Sequence, residues 1–207
     1  MTAGQVIVLN GAPRSGKTSI ASAIQAGPGE WMAFGVDLLR AATPPALQPG
    51  IGLRPGGERP DLEDFVVASY LSLYDSVAAH AVRGLSVVVD VGHHDDYSRP
   101  LRILETVAPT LARLGALFVS ISCPLEALMH RRHATGWSEQ PFTEGSEIPT
   151  NVERWSTAVH DPGIYDLEID TSGTTPENAA ATIRARLDGN PPTAFAILAR
   201  ADPRPER

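Results

Sequence analysis

Residues Gly11-Ala12-Pro13-Arg14-Ser15-Gly16-Lys17-Thr18 place two glycines, a lysine and a hydroxyl at the spacing G-x-x-x-x-G-K-[ST]. Glycines at both ends let backbone amides curl around a phosphate, and a following helix points its partly positive N-terminus at the same place. In that arrangement Lys17 reaches the β and γ phosphates of a nucleotide and the Thr18 hydroxyl holds Mg²⁺. All eight residues are therefore assigned to nucleotide binding. Lys17 is the only lysine among 207 residues; the remaining sixteen of the seventeen basic side chains are arginine. A compact ammonium suits a bent phosphate loop better than a planar guanidinium does. The competing explanation is a chance glycine-rich turn, which leaves the agreement of strand, spacing and lysine to coincidence.

Two acids could act beside such a loop. Asp37 closes the apolar segment Trp31-Met32-Ala33-Phe34-Gly35-Val36, and Asp90 lies at the end of the run Leu85 to Val91. Ligands of parallel α/β sheets sit at the carboxyl ends of the strands, so Asp37 is expected to project toward the phosphates. Its bland alternative is the N-cap of a helix starting at Leu38. Asp90 fits the aspartate that holds the Mg²⁺ shell, against a plain strand-end turn. Arg131 and Arg132, in His130-Arg131-Arg132-His133, either complement a helix dipole or close over ATP and absorb charge on the transferred phosphoryl group. His93-His94-Asp95-Asp96 reads as a polar loop lining an acceptor site or as a solvated turn, with a transition-metal site the remaining alternative. Cys123, followed by Pro124, reads as a buried structural thiol rather than a nucleophile.

The elements that must position these groups alternate strand and helix. Residues 5 to 10 form a strand apolar on both faces, and a helix from Lys17 to Gln25 ends at Gly27-Pro28-Gly29. Trp31 to Asp37 is the second strand, with Trp31 and Phe34 in the core. Residues 41 to 60 form a loop rich in Pro and Gly, and Leu62 to Arg83 a helix with a broad apolar face. Leu85 to Val91 and Leu117 to Cys123 are strands three and four, with a helix from Pro100 to Leu114 between them. After the helix Leu125 to His133 comes a polar insertion at 136 to 150, then a helix at Val152 to His160. Tyr165 to Thr171 is the last strand and Thr175 to Leu187 the closing helix, with Pro176 and Glu177 in its first turn. The expectation is one α/β domain over residues 1–190, a three-layer α/β/α sandwich on a five-stranded, mainly parallel sheet. A lid and insertion at 130–150 interrupts it, and a Pro-rich flexible tail at 191–207 follows.

Composition sets outer limits. A net charge of −7 leaves no basic stripe for a general nucleic-acid binder, yet one nucleotide needs only local amides, a lysine and Mg²⁺. One cysteine excludes an intramolecular disulfide. No run approaches the ~18 apolar residues of a membrane span, and the N-terminus lacks a signal-peptide pattern, so a cytoplasmic location without membrane attachment is the expectation. Whether the chain forms a homo-oligomer is left open.

Taken together, Val8 to Thr18, Trp31 to Asp37, Val87-Val88-Val89-Asp90, Ser122-Cys123 and Tyr165 to Thr171 resemble the chloramphenicol phosphotransferase family over residues 5 to 188. The phosphate loop is shared by very many proteins; the W-x-A-F-G-V-D segment in register after it is far more specific. The resemblance implies an ATP-dependent O-phosphotransferase with a P-loop, nucleotide-kinase-like core, acting on a hydroxyl of a small molecule such as an antibiotic. It also implies that Asp37 is the base on that hydroxyl and that Arg131 matches a lid arginine; the residues as read above add Lys17 and Arg131 in catalysis, Arg132 at the nucleotide, and Thr18 and Asp90 at Mg²⁺. The chain departs from the family where Asp90-Val91 stands in place of a pair of acids, and where Thr135 and Ser138 stand in place of further lid arginines. Two other readings compete: a metabolic or toxin-like kinase for a nucleotide sugar, sugar acid or nucleoside, and a nucleotide-binding regulatory module with no acceptor site.

Overall fold

The computed structural model describes residues 2–48, 55–137, 142–143 and 146–200. Five strands, β1 (Val6–Asn10), β2 (Trp31–Gly35), β3 (Ser86–Val91), β4 (Leu117–Ser122) and β5 (Leu167–Asp170), pair in parallel in the order β2-β3-β1-β4-β5. Central β1 is buried on both faces, which is what its unbroken apolar sequence requires. Its alternate side chains serve opposite layers. Val6 and Val8 join Val87, Val89 and Phe118 under α3 (Glu63–Val82), α4 (Ile103–Arg113) and α8 (Ala194–Leu198). Ile7 and Leu9 join Val88, Val119 and Ile121 under α1 (Lys17–Ala26) and α7 (Pro176–Leu187). A third cluster packs Leu128 and Met129 of α5 (Leu125–Ala134) and Val152 of α6 (Thr150–Ala158) beneath Ala12 of the phosphate loop.

Three expectations change. The strand read as Trp31 to Asp37 stops at Gly35, and Asp37 instead lies in the first turn of α2 (Val36–Ala42), where Gly35 rather than Asp37 is the N-cap. The loop expected at 41–60 starts after α2 and contains a 3₁₀ turn at Pro45–Leu47; residues 49–54 of it lie outside the described residues. The flexible tail is corrected over 191–200. Asp166 Oδ1 accepts the backbone N–H groups of Thr193 (2.7 Å) and Ala194 (3.1 Å), starting α8. Phe195 is 1% exposed and stacks on Phe118 at 4.7 Å, so this short segment completes the core. Pro and polar residues around a five-residue helix concealed that anchor. Phe195→Ala is expected to cost about 3–5 kcal/mol, the usual range for emptying a buried Phe site, read as a lowered urea midpoint.

Among the described residues one helical stretch, 60–82, is long and apolar enough to cross a membrane by composition. Val66, Tyr70, Leu73, Tyr74, Val77 and Ala81 of that stretch are buried in the sheet-facing core, which accounts for its apolar character.

Candidate active site

The phosphate loop spans the turn from β1 to α1, and two of its glycines are required by geometry. A Cβ on Gly11 would lie 2.2 Å from the Ile121 carbonyl oxygen. Gly16 adopts φ +106°, in the left-handed region that side chains disfavour, and caps α1. Arg14 takes the same left-handed region at φ 69°.

Lys17 Nζ donates to the Ala12 carbonyl at 2.9 Å and stands 3.6 Å from Asp90 Oδ1. Burial pushes the pKa of Lys17 below its ordinary value; the charges of Asp90 and, more weakly, Asp37 oppose the shift. Asp37 is thus near enough to feel the ammonium. Thr18 Oγ1 donates to Asp90 Oδ2 at 2.6 Å. A hydroxyl and a carboxylate this close, beside a phosphate cradle, supply the hard oxygen donors that Mg²⁺ takes.

Arg131 is anchored rather than free. It donates to the carbonyl of Ser15 (3.1 Å), to Thr171 Oγ1 (2.8 Å) and to the Thr171 carbonyl (2.8 Å), and Thr171 Oγ1 itself donates to the Ser15 carbonyl at 2.7 Å. The arginine therefore ties the loop to the end of β5, a role neither of the two sequence readings had included. Arg132 and Arg14 both face the Trp137 ring, with guanidinium carbons 5.4 Å and 4.4 Å from its centroid. Residues 138–141 and 144–145 of the expected lid at 130–150 lie outside the described residues; residues 130–134 are the end of α5, and Phe142 is buried against His130.

A single cleft of about 1040 Å³ brings together Gly11, Pro13, Arg14, Gly16, Lys17, Thr18, Asp37, Asp90, Arg131 and Arg132. Ala12 and Ser15 do not line it and are buried behind the loop. Charged lining groups comprise five cations (Arg14, Lys17, Arg40, Arg131, Arg132) and two carboxylates (Asp37, Asp90), so a chain of net charge −7 presents a locally cationic cleft suited to a polyphosphate. The side nearer α2 and α3 is different in character. Val36, Leu39, Phe65, Val66, Tyr70, Tyr97 and Trp155 give it apolar and aromatic walls.

Sequence reading missed that wall. Tyr70 comes from α3, Tyr97 from the loop after β3 and Trp155 from α6, and no local pattern joins them. Asn10, the last residue of β1, holds the wall's framework. It donates to the Val159 carbonyl (2.7 Å) and the Tyr165 hydroxyl (3.0 Å), while its Oδ1 accepts the His93 N–H at 2.6 Å. His93 and His94 are buried, which corrects the solvated-turn reading for these two, whereas Asp95 is exposed, and none of His93 to Asp96 lines the cleft. His93 Nε2 shares a 2.7 Å hydrogen bond with the Tyr74 hydroxyl, and burial beside His94 pushes its pKa down to about 3, keeping it neutral. Asp96 pairs with Arg154 through two hydrogen bonds of 2.5 and 2.7 Å. Cys123 is partly exposed rather than buried, and desolvation still raises its thiol above the ordinary pKa, which disfavours the reactive thiolate.

Five parallel strands, a phosphate loop and a cleft at the strand carboxyl ends define a P-loop kinase-like phosphotransferase. The chain belongs to the chloramphenicol phosphotransferase-like family, whose match spans residues 4–188. A proposed O-phosphotransferase of Mycobacterium tuberculosis, Rv2636, is 28% identical over 94% of this chain and 88% of its own length. In fold the chain is similar to the M. tuberculosis APS kinase CysC solved with AMPPNP and APS, at TM-score 0.61 and 16% identity over 91% of this chain and 100% of that one. It is likewise similar to Acinetobacter baumannii shikimate kinase in complex with shikimate, at TM-score 0.56 and 15% identity over 89% and 93%.

Proposed function

We propose that the chain transfers the γ-phosphoryl group of ATP to a hydroxyl of a small molecule, with a hydroxylated antibiotic of the chloramphenicol kind as the first acceptor to test. The observation that carries this reading is the composition of this cleft, which joins a cationic phosphate cradle to an apolar, aromatic chamber beside Asp37. Ligand sites run about 300–1,000 Å³, so the cleft has room for a nucleotide and a second small molecule together. A regulatory module needs only the cradle.

In this reading Lys17 and the loop amides hold the β and γ phosphates, and Thr18 and Asp90 hold Mg²⁺, which when bound offsets charge on the phosphate oxygens. Arg131, fixed by Ser15 and Thr171, keeps the loop in its binding conformation and directs its positive charge at the cleft. Arg14 and Arg132 add charge at the nucleotide side. Asp37 orients the acceptor hydroxyl and takes its proton. Bond making to phosphorus is loose, so positioning and charge stabilisation supply most of the acceleration.

The test is an ATP-consumption screen against hydroxylated antibiotics, sugar acids, nucleosides and nucleotide sugars, with mass spectrometry of the acceptors. A gain of about 80 Da, the mass of one phosphoryl group, on a hydroxylated acceptor is the expected result. Slow ATP hydrolysis that no acceptor stimulates would instead favour a regulatory module.

A further inference from the structure

We infer that Trp155 Nε1–H and Tyr70 Oη–H are the two donors that hold an oxygen of the acceptor molecule, making them specificity-determining residues of the phosphoryl transfer. The inference rests on the function proposed above and adds which ligand group the aromatic chamber reads. Trp155 lines the cleft, and its Nε1 is buried without a hydrogen-bond partner. The point a Cβ on Gly92 would occupy is 4.0 Å from that nitrogen, placing the indole N–H over the exit of β3, two residues beyond Asp90. Tyr70 is 7% exposed and lines the same cleft.

Both rings are held in place. Tyr70 packs on His93 with centroids 4.5 Å apart, and His93 is fixed by Tyr74 and Asn10. Trp155 meets His94 edge-on at 6.5 Å, and His94 stacks on Tyr97 at 4.2 Å. A buried indole N–H without a partner is unusual in a folded protein, because leaving it desolvated and unpaired is unfavourable until a ligand supplies an acceptor. An indole N–H can only donate. Burial and the nearby charge of Asp90 push the Tyr70 phenol well above its ordinary pKa, so it too keeps its proton. The complementary ligand group is therefore an uncharged or anionic oxygen, such as a carbonyl or nitro oxygen, on the same molecule as the reacting hydroxyl. A ligand with the hydroxyl but without that oxygen leaves the indole N–H unpaired and binds less well.

The test reads binding without turnover, so it stands apart from the screen that tests phosphoryl transfer. The probes are 2-hydroxyacetophenone and 2-phenylethanol, which share a phenyl ring and a hydroxyl and differ in one carbonyl. Each is titrated into the ADP-mixed, full-length protein while the indole N–H resonances of its three tryptophans are followed by NMR, Trp155→Phe assigning the Trp155 signal. Expected are a shift of the Trp155 signal with 2-hydroxyacetophenone and about 10-fold tighter binding of that probe than of 2-phenylethanol. Trp155→Phe and Tyr70→Phe, each keeping an aromatic ring, should both reduce that preference and leave ADP affinity unchanged. Equal affinities for the two probes, or a Trp155 signal that 2-hydroxyacetophenone does not move, overturn the assignment.

Discussion

Lys17→Ala should lower ATP turnover by about 10²–10³-fold or more, the scale on which a single preorganised charge-stabilising group acts. The ammonium has three protons. One is directed to the Ala12 carbonyl at 2.9 Å and another faces Asp90 at 3.6 Å, leaving the third for a phosphate oxygen. Burial disfavours the charge, and Asp90 and Asp37 only partly offset that penalty, so an incoming polyphosphate gains a cation that water does not already satisfy. Alanine removes this charge and also leaves Asp90 without its ammonium. Lys17→Arg should not restore activity, since a planar fork cannot occupy the space between the Ala12 carbonyl and Asp90. Thermal melting of each variant separates lost chemistry from lost folding. Retained turnover in a folded Lys17→Ala protein would falsify the assignment of the loop.

The parts of this site legible in the sequence are those that local geometry dictates. Gly11 and Gly16 announce the loop because backbone approach to Ile121 and a positive φ admit little else, and β1 announces the sheet because a strand buried on both faces is apolar throughout. Asp90 was legible for the same reason: it ends an apolar strand next to β1, opposite Leu9 in the register. Tertiary placement was not legible. Asp37 was read one element early, since the apolar run Trp31 to Val36 continues past Gly35 although the strand does not. Arg131 finds Thr171 across 40 residues, Asn10 finds Val159 across 149, and Asp166 recruits α8 across 28. Such contacts depend on where the crossovers deliver each element, and periodicity within one element carries no trace of them. The cleft's aromatic wall belongs to this second class, which is why the donor side of the reaction could be read before the acceptor side.

Asp37→Asn should reduce phosphoryl transfer by about 10²–10⁴-fold while leaving nucleotide affinity within a few-fold, because it removes a proton acceptor and keeps the shape. Its place in the first turn of α2, rather than on a strand, bears directly on this. Gly35, with no side chain, caps the helix, so the carboxylate is not consumed in capping and lines the cleft instead. The first turn of a helix also favours its negative charge. A carboxylate is a weak base toward a ground-state alcohol, but the hydroxyl acidifies as it approaches phosphorus, and the proton can move late to an acceptor already in position. In the proposed function Lys17 and Asp37 act on opposite partners of the same transfer, so their variants should separate cleanly. Lys17→Ala weakens ADP binding, measured by calorimetry, whereas Asp37→Asn spares it and lowers kcat for the acceptor found by mass gain. The same split distinguishes a base from a residue that merely shapes the cleft: Asp37→Glu, with the carboxylate restored on a longer stem, should recover part of kcat, and Asp37→Asn should not. Equal kcat for Asp37→Asn and the wild type would remove Asp37 as the base and leave positioning by the chamber as the source of catalysis on the acceptor side.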